Sequence, residues 1–162
     1  MELTDFKPSE VFSFEGEAAI WGEEVNVGVE CENSSLEQML PMINKVIEFL
    51  ENNKAAVVEA MAKAGIIDLA EDWASGAEEA DDSTEEHECY IMEDGTRVYF
   101  PITKEDFAKS LHFDGISVYY DEDEDDISAS VYFVCKPDYF AYHCIETFLD
   151  SKGNIDVNGL AG

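Results

Sequence analysis

Apolar and polar positions alternate with period two in several short runs, and in two longer stretches they recur at three and four residues. The chain therefore predicts both strands and helices. Phe12, Phe14, Gly16, Ala18 and Ile20 alternate with mostly polar neighbours, as do Val25, Val27, Val29 and Cys31, and Trp21-Gly22-Glu23-Glu24 between them reads as a turn. This is a β-hairpin with one apolar and one polar face, the pattern of a sheet covered on a single side. The stretch Ile127 to Leu149 predicts a central hairpin. Ile127, Ala129, Val131, Phe133 and Cys135 share one side of a ribbon, Lys136-Pro137-Asp138 signals a turn, and Cys144 to Leu149 runs back. Two further β-prone runs, Cys89 to Met92 and Thr96 to Ile102, flank Asp94-Gly95, a strong short-range hairpin signal. Gly115 to Tyr120 and Ile155 to Asn158 complete the strands.

Helical periodicity begins after Ser34-Ser35-Leu36-Glu37, an S-x-x-E capping box with Ser34 as the expected N-cap. Leu36, Met39, Leu40, Ile43, Val46, Ile47 and Leu50 then form one apolar stripe, with Pro41 costing a hydrogen bond unless the helix kinks or starts there. After Asn52-Asn53, Val57, Met61, Ala64, Ile67 and Trp73 predict a second helix from Lys54 to about Ala74, weakened by Gly65 by roughly 1 kcal/mol relative to alanine. Thr103 caps a short helix, Lys104 to about Leu111, with Phe107 and Leu111 inward. The order of elements points to an α+β fold: a single antiparallel sheet with an αα-hairpin and one short helix packed on one face. Residues 1–10 read as a polar lead-in and residues 11–162 as one α+β domain, with a mobile acidic loop at about 75–88.

Charge changes this picture more than length does. The 162 residues hold nine Lys+Arg against 38 Asp+Glu, a net charge of −29. Direct nucleic-acid binding is excluded, because its affinity rests on neutralising phosphates with basic side chains. Anionic membrane surfaces are disfavoured for the same reason. Such a balance favours a basic partner, a divalent cation or plain solubility, and it stores self-repulsion that salt relieves. A partner-facing acidic surface, a high-salt habitat and simple over-solubility all fit the charge. No apolar run approaches the ~20 residues of a membrane span, and Met1 to Glu10 lacks the features of an export signal. The expectation is a soluble, cytoplasmic protein. Cys31, Cys89, Cys135 and Cys144 form no C-x-x-C pair and are expected as buried, reduced thiols.

Candidate chemistry is sparse. Asp121, Asp123 and Asp125 match the first ligands of an EF-hand loop and are candidate cation ligands. However, Asp126 stands where the loop needs glycine, and Tyr132 where it needs glutamate. A solvated hairpin turn is the competing reading. His87 and His143 lack the paired spacing of zinc ligands, and His112 stands alone. His143, near Asp138, Tyr139 and Tyr142, is the candidate general base, against a hydrogen-bonded structural histidine at a strand end. No nucleophile motif or Gly-rich phosphate loop accompanies it, and no cofactor is called for.

Phe14-Glu15-Gly16 followed by Ile20-Trp21-Gly22, the run Ile102 to Phe107, Asp138-Tyr139-Phe140 followed by His143, and the closing Gly159-Leu160-Ala161-Gly162 together carry a resemblance. The chain resembles an uncharacterised bacterial domain family of acidic α+β proteins. The resemblance implies a glycine before the histidine, where this chain has Tyr142. It also implies a role in toxin immunity, which some members are proposed to have, and it brings no catalytic residues. Three functions follow. The first is a non-enzymatic cytoplasmic binding protein whose acidic surface meets a basic partner such as a toxin. The second is a nucleic-acid mimic that inhibits a DNA-binding protein. The third is a small enzyme using His143.

Overall fold

The structure, a computed structural model, describes residues 1–84 and 86–162. Its centre is a seven-stranded sheet in the order β1-β2-β3-β7-β8-β9-β10. The strands are β1 (Lys7–Pro8), β2 (Phe14–Ile20), β3 (Glu23–Glu30), β7 (Leu111–Asp121), β8 (Asp126–Cys135), β9 (Cys144–Asp150) and β10 (Ile155–Ala161). A second sheet of three short strands, β4 (Glu78–Glu79), β5 (Cys89–Ile91) and β6 (Arg97–Tyr99), stands apart from it. Four helices appear among the described residues: α1 (Leu36–Asn52), α2 (Lys54–Lys63), α3 (Ile66–Ala74) and α4 (Lys104–Ser110).

This corrects the expected single antiparallel sheet with an αα-hairpin and one short helix, although the α+β class stands. β3 and β7 pair in parallel, Val27 beside Ile116 and Val29 beside Val118, so the large sheet is mixed. A hairpin turn enforces antiparallel pairing, whereas the whole of residues 31–110 separates these two strands and lets β7 arrive in either direction. The β5–β6 hairpin forms at Asp94-Gly95 as its turn signal requires. Its strands are only three residues long, and they add to the short β4 instead of the main sheet.

The expected second helix is two helices. Gly65 adopts φ +80°, a left-handed conformation that closes α2 and opens α3 at little cost only for glycine. α1 keeps its predicted stripe, burying Leu36, Met39, Ile43, Val46 and Leu50 with Pro41 inside the helix. Its N-cap is Ser35, which accepts from the Gln38 N–H, one residue later than expected. α4 has the predicted cap: Thr103 Oγ1 accepts from the Asp106 N–H and donates to the Asp106 carboxylate at 2.6 Å.

One face of the large sheet makes the core. Val25, Val27 and Val29 of β3 lie beside Ile116 and Val118 of β7, then Ile127, Ala129, Val131 and Phe133 of β8, then Ile145 and Leu149 of β9. The apolar stripes of the helices join the same core, as do Val98 and Ile102 beside the small sheet. Each large side chain fully buried there contributes about 1.5–3 kcal/mol. The first residues are held as well: the Met1 ammonium donates to Asn44 of α1 at 2.7 Å, and Lys7 pairs with β2 opposite Glu15.

The expected acidic loop at residues 75–88 contains β4, a buried Ala80 and an ion pair of Asp82 with Arg97 at 2.7 Å. Glu85, part of that expectation, lies outside the described residues. Among the described residues no helix is long and apolar enough to cross a membrane. All four cysteines are free. Cys89 and Cys135 are buried as expected, while Cys31 and Cys144 are only half-buried.

Candidate functional site

The second face of the large sheet is covered at β2 and β3 by the 9–13 segment, through Phe12 over Gly28 and Ser13 on Glu30, and is open beyond them, and strand register assigns its residues. Directly paired residues point the same way, so Gly28, Ser117, Ser130, Phe148 and Asp156 form one row across β3, β7, β8, β9 and β10. Glu30, Tyr119, Ser128 and Asp150 form a parallel row, and Tyr132 pairs with Glu146 in a third. The middle of this face is therefore serine and aromatic: Ser117, Ser128 and Ser130 between Tyr119, Tyr132 and Phe148. Carboxylates flank it, from Glu15, Glu17, Glu24 and Glu30 on β2 and β3 to Glu146, Asp150 and Asp156 on β9 and β10. Within these strands the single Lys or Arg is Lys7 at the outer edge, paired with Glu15 at 3.4 Å. Tyr119 is 41% exposed. Phe12 lies over Gly28 so closely that a Cβ there would sit 2.4 Å from its ring, which is why only glycine fits.

The 138–143 loop joins β8 to β9, where the sequence places its candidate base. Asp138 organises it, its carboxylate accepting from the Phe140 N–H at 3.0 Å and the Tyr142 N–H at 2.8 Å. These bonds hold Ala141 and Tyr142 at φ +49° and +70°, a costly pair for residues with a Cβ. Position 142, where the resemblance implies glycine, thus has a backbone that glycine would adopt at lower cost. His143 Nδ1 lies 2.8 Å from the Phe140 carbonyl oxygen. Since a carbonyl only accepts, Nδ1 carries the proton in that bond. The imidazole and the Trp73 ring meet edge to face, centroids 5.5 Å apart. Tyr139 is buried, and burial pushes its phenol above the usual range.

A cavity of about 320 Å³ opens beside this loop, lined by Tyr139, Tyr142 and Asp138, by Trp73 from the end of α3, and by Glu93 and Asp94 from the β5–β6 turn. Asp138, Tyr139 and Tyr142 therefore share a site as their adjacency suggests, while His143 packs against Trp73 and does not line the cavity. Sequence reasoning missed Trp73, Glu93 and Asp94 as partners of this loop. Asp94-Gly95 was legible as a turn, but nothing local says where that turn points.

Asp121, Asp123 and Asp125 lie in the β7–β8 hairpin turn. The Asp121 carboxylate accepts from the Asp123 and Glu124 N–H groups at 3.0 and 3.3 Å, and the Tyr120 hydroxyl donates to Asp125. Among the described residues no group of three or more His, Cys, Asp or Glu is arranged to hold a metal ion. His112 pairs with Glu23, Nδ1 to Oε1 at 2.7 Å, at the margin of the core.

No curated protein and no solved structure matches the chain. A family model described as "Uncharacterized protein conserved in bacteria (DUF2262)" matches residues 2–160, the kind of family that the motifs above resemble. With nearly the whole chain matched, the protein belongs to this uncharacterised bacterial family.

Proposed function

We propose that the chain is a non-enzymatic cytoplasmic binding protein whose open sheet face docks a basic protein partner, acting as an inhibitor or immunity protein. One observation carries this reading. Tyr119 is exposed and Tyr132 and Phe148 are half-buried in the middle of a face whose flanks are carboxylates and whose strands hold no Lys or Arg except Lys7. Solubility alone explains the acids but not half-exposed aromatic rings among them. Aromatic anchors inside a charged rim are how protein interfaces concentrate binding energy, and the charge steers a basic partner to them.

The serine and aromatic middle of this face also favours this reading over a nucleic-acid mimic, which needs carboxylates in two rows at phosphate-like spacing. His143 packs against Trp73 and is not among the residues that line the neighbouring cavity, which supports a positioning role over a catalytic one. The test is anisotropy of a labelled basic amphipathic peptide at about 0.15 M salt, where long-range attraction is largely screened. The charge-neutral pair Tyr132→Ser and Phe148→Ser should weaken binding about tenfold. Removing two exposed helix carboxylates instead, Glu48→Gln with Asp68→Asn, should change it by less than about twofold. The reverse ranking would reduce the interaction to unspecific charge attraction and end the proposal.

A further inference from the structure

We propose that the cavity beside the 138–143 loop binds an alkylammonium head group, an organic cation of the choline or lysine-amine class. This site is separate from the open sheet face and does not depend on the reading given for it. Three aromatic side chains line the cavity, Trp73, Tyr139 and Tyr142, and no Lys or Arg does. Trp73 is 40% exposed and Tyr142 86%, the latter the most exposed of the large apolar or aromatic residues on the described surface. An aromatic side chain so exposed gains nothing from solvent, and here its backbone is held in a left-handed conformation that Asp138 locks with two hydrogen bonds. Trp73 is fixed as well, packed edge-on by Phe140 and His143 at centroid distances of 6.1 and 5.5 Å.

Aromatic faces lining one cavity attract a cation through their quadrupoles, with tryptophan the strongest of them. Glu93, Asp94 and Asp138 at the same cavity add a field of one sign. A metal ion is the poorer match. Asp138 already spends both carboxylate oxygens on backbone N–H groups, and Asp94 Oδ1 accepts from the Thr96 N–H at 2.8 Å. A large, weakly hydrated cation needs no such direct ligands, only aromatic walls and nearby negative charge. About 320 Å³ is at the small end for ligand sites and suits a head group better than an extended molecule.

The experiment is a two-dimensional NMR titration of the intact chain with choline, with Nα-acetyl-lysine amide, and with the neutral choline isostere 3,3-dimethyl-1-butanol. The expected result is saturable shifts of the Trp73 indole N–H and the Tyr142 amide by choline or the lysine amide. The isostere should bind about tenfold more weakly or not at all. The stronger of the two cations identifies the source, a free quaternary amine or a lysine side chain. Tyr142→Gly should weaken binding at least fivefold without lowering the melting temperature, because glycine suits the left-handed backbone there. Equal binding of the isostere, or shifts that grow linearly and spread over the acidic surface, would overturn the proposal. So would binding unchanged by Tyr142→Gly.

Discussion

The two faces of β7 and β8 come from the same strands, residue by alternate residue, and they obey different rules. One face carries Ile116, Val118, Ala129, Val131 and Phe133, all buried and explained by the helices over them. The other carries Ser117, Tyr119, Ser128, Ser130 and Tyr132, with Phe148 from β9 beside them. If solvent alone had shaped this second face, charges would occupy its centre as they occupy its margins. The aromatic centre inside acidic flanks separates a surface built for contact from one built only for water.

Stability measurements sharpen this contrast first. Phe133 is fully buried, so Phe133→Ala should cost about 3–5 kcal/mol in urea denaturation. Tyr132, its neighbour in sequence on the open face, should cost about 1 kcal/mol or less as Tyr132→Ala. Comparable losses would mean that the open face is packed in the folded chain and unavailable to a partner.

Chemistry should separate the faces next. Cys135 ends the core face of β8, where burial pushes its thiol up to about 12. Cys144 begins the open face of β9, half-buried, its thiol raised first by burial and then by Asp114. Only thiolate reacts with iodoacetamide, and at pH 8 Cys135 lies about four pH units below its folded ionisation. Mass spectrometry of the native protein should find Cys144 modified well before Cys135, with the difference abolished in urea. Early labelling of Cys135 would show that the core face opens locally at that end of the sheet.

The smallest expected effect concerns the polar exception on the core face. Thr147 is 2% exposed beside Val131, and its Oγ1 has no hydrogen-bond partner among the described residues. Thr147→Val keeps the shape and removes the orphaned hydroxyl, so it should stabilise the fold by about 1 kcal/mol. A loss instead would point to a water or side chain that satisfies this hydroxyl in solution.

Much of this fold is local, and the local part was legible. Trp21-Gly22, Asp94-Gly95 and the acidic run from Asp121 to Asp126 each make the turn their composition implies, and alternation assigns the flanking residues to faces. The α1 and α4 stripes and the Thr103 cap are equally local. What periodicity cannot convey is which strand lies next to which. Val29 and Val118 are neighbours only because residues 31–110 fold back over the sheet. Bulges hide alternation too. The register shift between Phe113 and Gly115 conceals the start of β7 at Leu111, and the shift between Val157 and Gly159 conceals the run of β10 to Ala161. At the cavity, Asp138, Tyr139 and Tyr142 are adjacent in sequence and could be grouped by reading. Trp73, Glu93 and Asp94 arrive from segments whose approach depends on α3 ending at Ala74 and on the small sheet forming.

The most direct test of the docking surface is an NMR map of amide shifts as a basic amphipathic peptide is added at about 0.15 M salt. The expected shifts gather on Ser117, Tyr119, Ser128, Ser130, Tyr132 and Phe148, with weak ones on α1 and α3. Shifts spread evenly over helices and sheet, in proportion to local carboxylates, would contradict the proposed surface.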